Sequence, residues 1–121
     1  MSKRKKYRDR LMAIAQEIVD NSSGRARLAF NEKDDSKGKL ETSAHFIKID
    51  GRRVGRDIEL YGCEAGLVDW EIVLTMFFEE VLLPVRKSGL EDSYKAAAAM
   101  LRNLGHEVFK PNLIQEWDEL F

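Results

Sequence analysis

Residues 67–83 read Leu-Val-Asp-Trp-Glu-Ile-Val-Leu-Thr-Met-Phe-Phe-Glu-Glu-Val-Leu-Leu, a nearly continuous apolar run broken by single acids. Neither Gly nor Pro enters it until Pro84, which is expected to end it. Asp69, Glu71, Glu79 and Glu80 exclude a membrane span, so the run is expected to be a buried central helix. On a wheel of ~100° per residue, Leu67, Trp70, Val73, Leu74, Phe77, Phe78 and Val81 make one apolar arc, expected to pack on a sheet. The opposite arc mixes Val68, Ile72, Met76, Leu82 and Leu83 with Asp69, Glu71, Thr75, Glu79 and Glu80. That arc is too apolar for free solvent and too acidic for a dry core.

The flanking patterns predict an α+β fold. Tyr7, Leu11, Ile14 and Ile18 recur at helical spacing, with Ala15 and Val19 beside them, which predicts a helix over 4–21. Asn21-Ser22-Ser23-Gly24 supplies the stop. A strand is expected over 25–31, with Leu28 and Phe30 on one face. A second is expected over 40–49 through Leu40, Thr42, Ala44 and Phe46, with a face change at Ile47 and Ile49 that suggests a bulge or two-sided burial. Asp50-Gly51 then predicts a hairpin into a third strand through Val54, Arg56, Ile58 and Leu60, with Gly55 a second bulge.

After the central helix, Ser88-Gly89-Leu90-Glu91 fits a capping box. It predicts a helix over 89–104 that buries Leu90, Tyr94, Ala97, Ala98, Leu101 and Leu104 and stops at Gly105. The Ala96–Ala99 run favours close helix packing. Val108 and Phe109 are expected to add a short strand. Residues 112–121 form an amphipathic acidic segment with Leu113, Ile114, Trp117, Leu120 and Phe121 on one side. The whole chain, 1–121, is expected to be one domain with a basic arm at residues 1–6.

Charge is balanced but unevenly placed. The net formal charge of −1 argues against a general polyanion binder. Lys3, Arg4, Lys5, Lys6, Arg8 and Arg10 crowd the start, while Glu116, Asp118 and Glu119 close the chain. Arg8 and Arg10 are candidates to pair with Glu71 or Glu79. A lone cysteine, Cys63, cannot form an internal disulfide, and a cytoplasmic location is the expectation.

Candidate chemistry is sparse. His45, His106 and Cys63 do not stand at metal-ligand spacing, and no nucleophile motif surrounds Cys63 or a serine. Glu79 and Glu80 point about 100° apart on a helix, which prevents a carboxylate dyad. Gly51-Arg52-Arg53-Val54-Gly55 lacks the strand-loop-helix setting of a phosphate loop. The expectation is a non-enzyme that takes no cofactor and no metal.

Binding is the remaining chemistry. The expected function is that of a small regulatory or inhibitory protein, of an accessory, phage- or immunity-type kind, that binds another protein. The partner-binding candidates are Ile72, Met76, Glu79 and Leu83 on the mixed arc, and Trp117, Leu120 and Phe121 at the acidic end. A homodimer through the mixed arc is a further expectation. The alternative is a nucleic-acid-binding regulator using Lys5, Lys6, Arg8, Arg52, Arg53 and Arg56. The order helix, three strands, helix is similar to double-stranded RNA-binding domains. Those carry a lysine-rich start on the closing helix where this chain has Asp69 and Glu71, and no family is assigned.

Overall fold

The computed structural model describes residues 3–29, 46–58, 61 and 69–121. Helix α1 (Lys3–Asp20) leads into strands β1 (Ala26–Ala29), β2 (Phe46–Ile49) and β3 (Arg52–Val54). A helical rod follows, made of α2 (Trp70–Phe77), a π-helical turn (Phe78–Leu82) and α3 (Leu83–Lys87). Helix α4 (Glu91–Val108), a 3-10 turn (Pro111–Leu113) and α5 (Ile114–Glu119) complete the chain. The expected α+β order is present: a helix, an antiparallel sheet in the order β1-β2-β3, then helices.

Helix α1 forms where its periodicity placed it. Tyr7, Leu11, Ile14, Ala15 and Ile18 are buried, because residues three and four apart share a helix face. The helix begins at Lys3, so residues 3–6 start it rather than forming a separate arm. It packs on β1 and, more extensively, on α4. The buried Ser93 hydroxyl of α4 donates to the Ile18 carbonyl at 2.7 Å, which pins the two helices at one end. Buried Ala97 and Ala98 give the close approach expected of the alanine run.

The hairpin turn is Asp50-Gly51, with φ of 50° and 81°. Positive φ at both central residues matches the right-handed twist of the flanking strands. Arg25 closes the turn from outside, donating to Asp50 at 3.0 and 2.6 Å. The pairing is continuous over Phe46–Ile49, so the expected bulge does not occur there. Burial of Phe46, Ile47 and Ile49 accounts for the face change instead. The third strand is shorter than expected. Gly55 turns the chain at φ +70°, and Ile58 is helical. Phe30, Leu40, Thr42, Ala44, Leu60, Leu67 and Val68, on which other expectations rested, lie outside the described residues.

Pro84 does not stop the central helix. Proline lacks an N–H and its ring crowds the carbonyl four residues back, here that of Glu80. The π turn takes up that misfit, with the Leu83 N–H donating to Phe78, five residues back. Helix α3 then continues to Lys87. One extra residue rotates everything after it by about 100° relative to an ideal helix. Leu82, on the mixed arc of the ideal wheel, is therefore fully buried, and so is Val85.

The apolar arc of the rod meets helices and aromatic side chains more than the sheet. Trp70 packs edge-on against Tyr7 at 4.9 Å, Phe77 against Tyr61 at 5.4 Å and Phe78 against Phe121 at 5.0 Å. The hairpin reaches the rod at Gly55, which faces Val81. There Arg56 holds Glu80 through two hydrogen bonds of 3.1 Å, and the Tyr61 hydroxyl donates to the same carboxylate at 2.9 Å. Burial pushes the Tyr61 phenol pKa up, and Glu80 adds to that, so the phenol remains a donor at neutral pH.

Two helix-end signals act differently from expectation. Ser88 does not cap α4, whose N-cap is Leu90 with no side-chain hydrogen bond. Gly89, at φ +77°, ends α3 instead. The Leu90 amide bonds Val85 and the Gly89 amide bonds Arg86, the paired pattern that closes a helix on a left-handed glycine. Gly105 does not end α4, which runs on to Val108, and no strand forms at Val108 and Phe109. A side chain at Gly105 would overlap the Trp117 indole. The glycine makes room for a packed ring rather than freeing the backbone.

Trp117 closes this end of the core. It is 2% exposed, and its indole N–H donates to the Arg102 carbonyl at 3.1 Å. Phe109 stacks on it at 4.6 Å and Phe121 meets it edge-on at 5.1 Å. Outside this cluster Asp118 accepts from Arg102 Nε at 2.8 Å and lies 2.6 Å from His106 Nε2. The bond to Arg102, then that to His106, holds the Asp118 carboxyl below its ordinary pKa.

Candidate partner-binding face

Helix α2 starts because Asp69 caps it, accepting the Glu71 amide at 2.9 Å. From there the regular α-helical stretch puts Val73, Leu74 and Phe77 inward. Ile72, Thr75, Met76 and Glu79 follow one another along the outward side at spacings of three and four. Ile72 is 53% exposed, Glu79 is exposed, and Met76 is half-buried. The corner between α4 and the 3-10 turn brings Phe109 beside them. The Lys110 amide donates to Glu71 at 3.4 Å across this junction.

The result is a pair of adjoining concavities. One, of about 290 Å³, is lined by Glu71, Ile72, Thr75, Met76 and Phe109. The other, of about 210 Å³, is lined by Thr75, Phe109, Leu113, Glu116, Trp117 and Leu120. Thr75 and Phe109 are their shared wall. Enclosed small-molecule sites run ~300–1,000 Å³; these are smaller, open hollows, the size of inserted side chains. A third hollow, of about 160 Å³ between α1 and α4, is lined by Arg10, Ala13, Ile14, Met100 and Asn103. No strongly exposed large apolar side chain borders that one.

Among the described residues, the large apolar side chains left exposed are Ile72 and Leu120, at 53% and 41%. Each borders one of the two adjoining hollows. The rim is acidic: Glu71 and Glu116 line the hollows, Glu79 continues the α2 line, and Glu119 neighbours Leu120. No base among the described residues lines either hollow. Neither Glu79 nor Glu116 has an ion pair among the described residues.

The sequence candidates divide on this face. Ile72, Met76 and Leu120 line its hollows, while Glu79, three residues beyond Met76, is exposed outside their lining. Leu83 does not, because the π turn rotates it away and it packs half-buried against the core. Trp117 forms the floor of one hollow from within, and Phe121 packs on Phe78 and Trp117. The periodicity of the central helix gave no signal for Phe109 and Leu113, since the turn between α4 and α5 brings them in. The pairing expected of Arg8 and Arg10 also differs: Arg10 pairs with Glu107 of α4, and Arg8 lies 3.6 Å from Asp9.

The hairpin cations are largely engaged within the chain. Arg53 pairs with Asp57 at 2.7 Å and lies 4.4 Å over the Phe46 ring. Arg56 is held by Glu80. Arg52 and Lys6 are exposed, and the side chain of Lys5 lies outside the described residues. Cys63 and His45 also lie outside them. No helix among the described residues is long and apolar enough to cross a membrane. No protein-family model, curated protein or solved structure matches the chain.

Proposed function

We propose that this chain is a non-enzymatic protein-binding protein of regulatory or inhibitory kind, and that the face between α2 and the C-terminal segment is its binding surface. The observation that supports it is the convergence of the two exposed large apolar side chains, Ile72 and Leu120, on one pair of hollows. Single exposed apolar residues are ordinary; contiguous ones rimmed by polar groups mark interaction sites. Burying each such side chain in a complex contributes ~1.5–3 kcal/mol, and anchors seated in pockets carry most of an interface's energy.

Photo-crosslinking tests this reading. A benzophenone amino acid at position 72, expressed in the native host, is expected to give a discrete protein adduct. The same probe at Lys95, exposed on α4, is expected to give none. Equal adduct patterns at the two positions would refute the assignment, as would a nucleic-acid adduct from a probe at Arg52 with no protein adduct from position 72.

A further inference from the structure

We infer that the occupant of this face is a positively charged amphipathic helix of another protein, laid along the channel between α2 and α5. The inference rests on the binding-surface reading above and adds the chemistry of the partner. Two facts carry it: the geometry of the hollows and the sign of their rim.

The hollows share Thr75 and Phe109 as one wall, so two anchors from a single partner must sit about one side-chain width apart. Residues four apart on a helix lie ~6 Å apart along its axis, on the same face. A helix laying an apolar stripe into a groove reads as anchors at such spacings. One anchor would pack against Ile72 and Met76, the next against Leu113 and Leu120. Both would contact Phe109.

The rim selects the flanks. Glu71 lines one hollow and Glu116 the other, and no base among the described residues lines either. Lysines or arginines beside the anchors of an incoming helix would meet those two carboxylates, neither of which has an ion pair among the described residues. The same charge pattern disfavours a second copy docked face to face. A two-fold interface sets each patch against itself, which would bring the Glu71 and Glu116 carboxylates of one copy towards those of the other. Like charges so placed suppress a partner.

Two synthetic helical peptides test the inference on the full chain. Both carry leucines at the same i, i+4 and i+7 positions; one has lysine elsewhere and the other glutamate. Titration followed by amide NMR is expected to shift Ile72, Met76, Phe109 and Leu120 with the lysine peptide. The glutamate peptide is expected to bind at least tenfold more weakly, and the preference is expected to shrink with added salt. The double variant Glu71→Lys/Glu116→Lys is expected to reverse the preference. Equal binding of both peptides, perturbation mapping to another face, or no binding of either would overturn the inference. Concentration-dependent dimerisation lost in Ile72→Ser would overturn it in favour of a second copy. If the peptides fail while position 72 still crosslinks to a protein, only the partner's chemistry is wrong. If position 72 crosslinks to nothing, the binding surface itself is refuted.

Discussion

Trp117→Ala is expected to cost ~3–5 kcal/mol, the range for deleting a buried large aromatic side chain. The cost has identifiable sources. The ring is 2% exposed, it fills the space left by Gly105, and it stacks on Phe109 and meets Phe121 edge-on. Its removal also leaves the Arg102 carbonyl without the indole donor. Small proteins hold only ~5–15 kcal/mol in total, so one substitution removes a large share. Thermal unfolding should show a fall in Tm on the order of 10–20 °C. Leu120→Ala, three residues on, is expected to change stability by less than about 1 kcal/mol, because that side chain is 41% exposed. Similar losses for the two variants would contradict the division of the C-terminal segment into one residue for the core and one for the surface.

Gly55→Ala is the second large effect, expected at ~2–5 kcal/mol. Two terms add. Alanine at φ +70° pays ~1–2 kcal/mol for the left-handed conformation. Its Cβ would stand 2.7 Å from Val81 Cγ2 and 3.3 Å from the Tyr61 hydroxyl, and such crowding costs ~1–3 kcal/mol. The position matters because the hairpin meets the rod there, beside the Arg56–Glu80–Tyr61 cluster. Chemical denaturation of Gly55→Ala, Val81→Ala and the double variant separates the terms. The double variant should be less destabilised than the sum of the singles, since removing the Val81 methyls relieves the crowding but not the strain. Strict additivity would show that the close approach is not made.

Gly51, Gly89 and Gly105 show where local pattern reading succeeds and fails. Asp50-Gly51 was legible because a two-residue hairpin between alternating runs demands positive φ at both positions, and little else satisfies that demand. Gly89 was misassigned because Ser88-Gly89-Leu90-Glu91 has the spacing of a helix start, while the left-handed residue in it serves the end of the helix before. Gly105 was misassigned because a glycine late in a helical pattern marks either a stop or a site of close packing. Only the distant Trp117 decides which.

The same logic governs the candidate face. Ile72 and Met76 were legible because Trp70–Phe77 is a regular α-helix, to which the ideal wheel applies. Leu82 is buried against expectation because the wheel holds only up to the π turn. Proline alone does not announce whether a helix ends or takes up an extra residue. Phe109 could not be found from periodicity, since the chain corner after α4 sets its position; Leu113 was legible on the apolar side of the last segment but not as a neighbour of α2. The acidic rim was visible in the composition of both segments, but its closure around shared hollows depends on tertiary packing.

The central claim is that Ile72 faces a partner and not the core. Its most direct test is the affinity of the protein captured through position 72 for the wild-type chain and for Ile72→Glu, measured by calorimetry. Because the side chain is 53% exposed, the variant should melt within about 2 °C of wild type. Its affinity should fall by roughly 30-fold or more, as expected for an anchor worth about 2 kcal/mol or more. Unchanged folding with affinity within twofold of wild type would contradict the account.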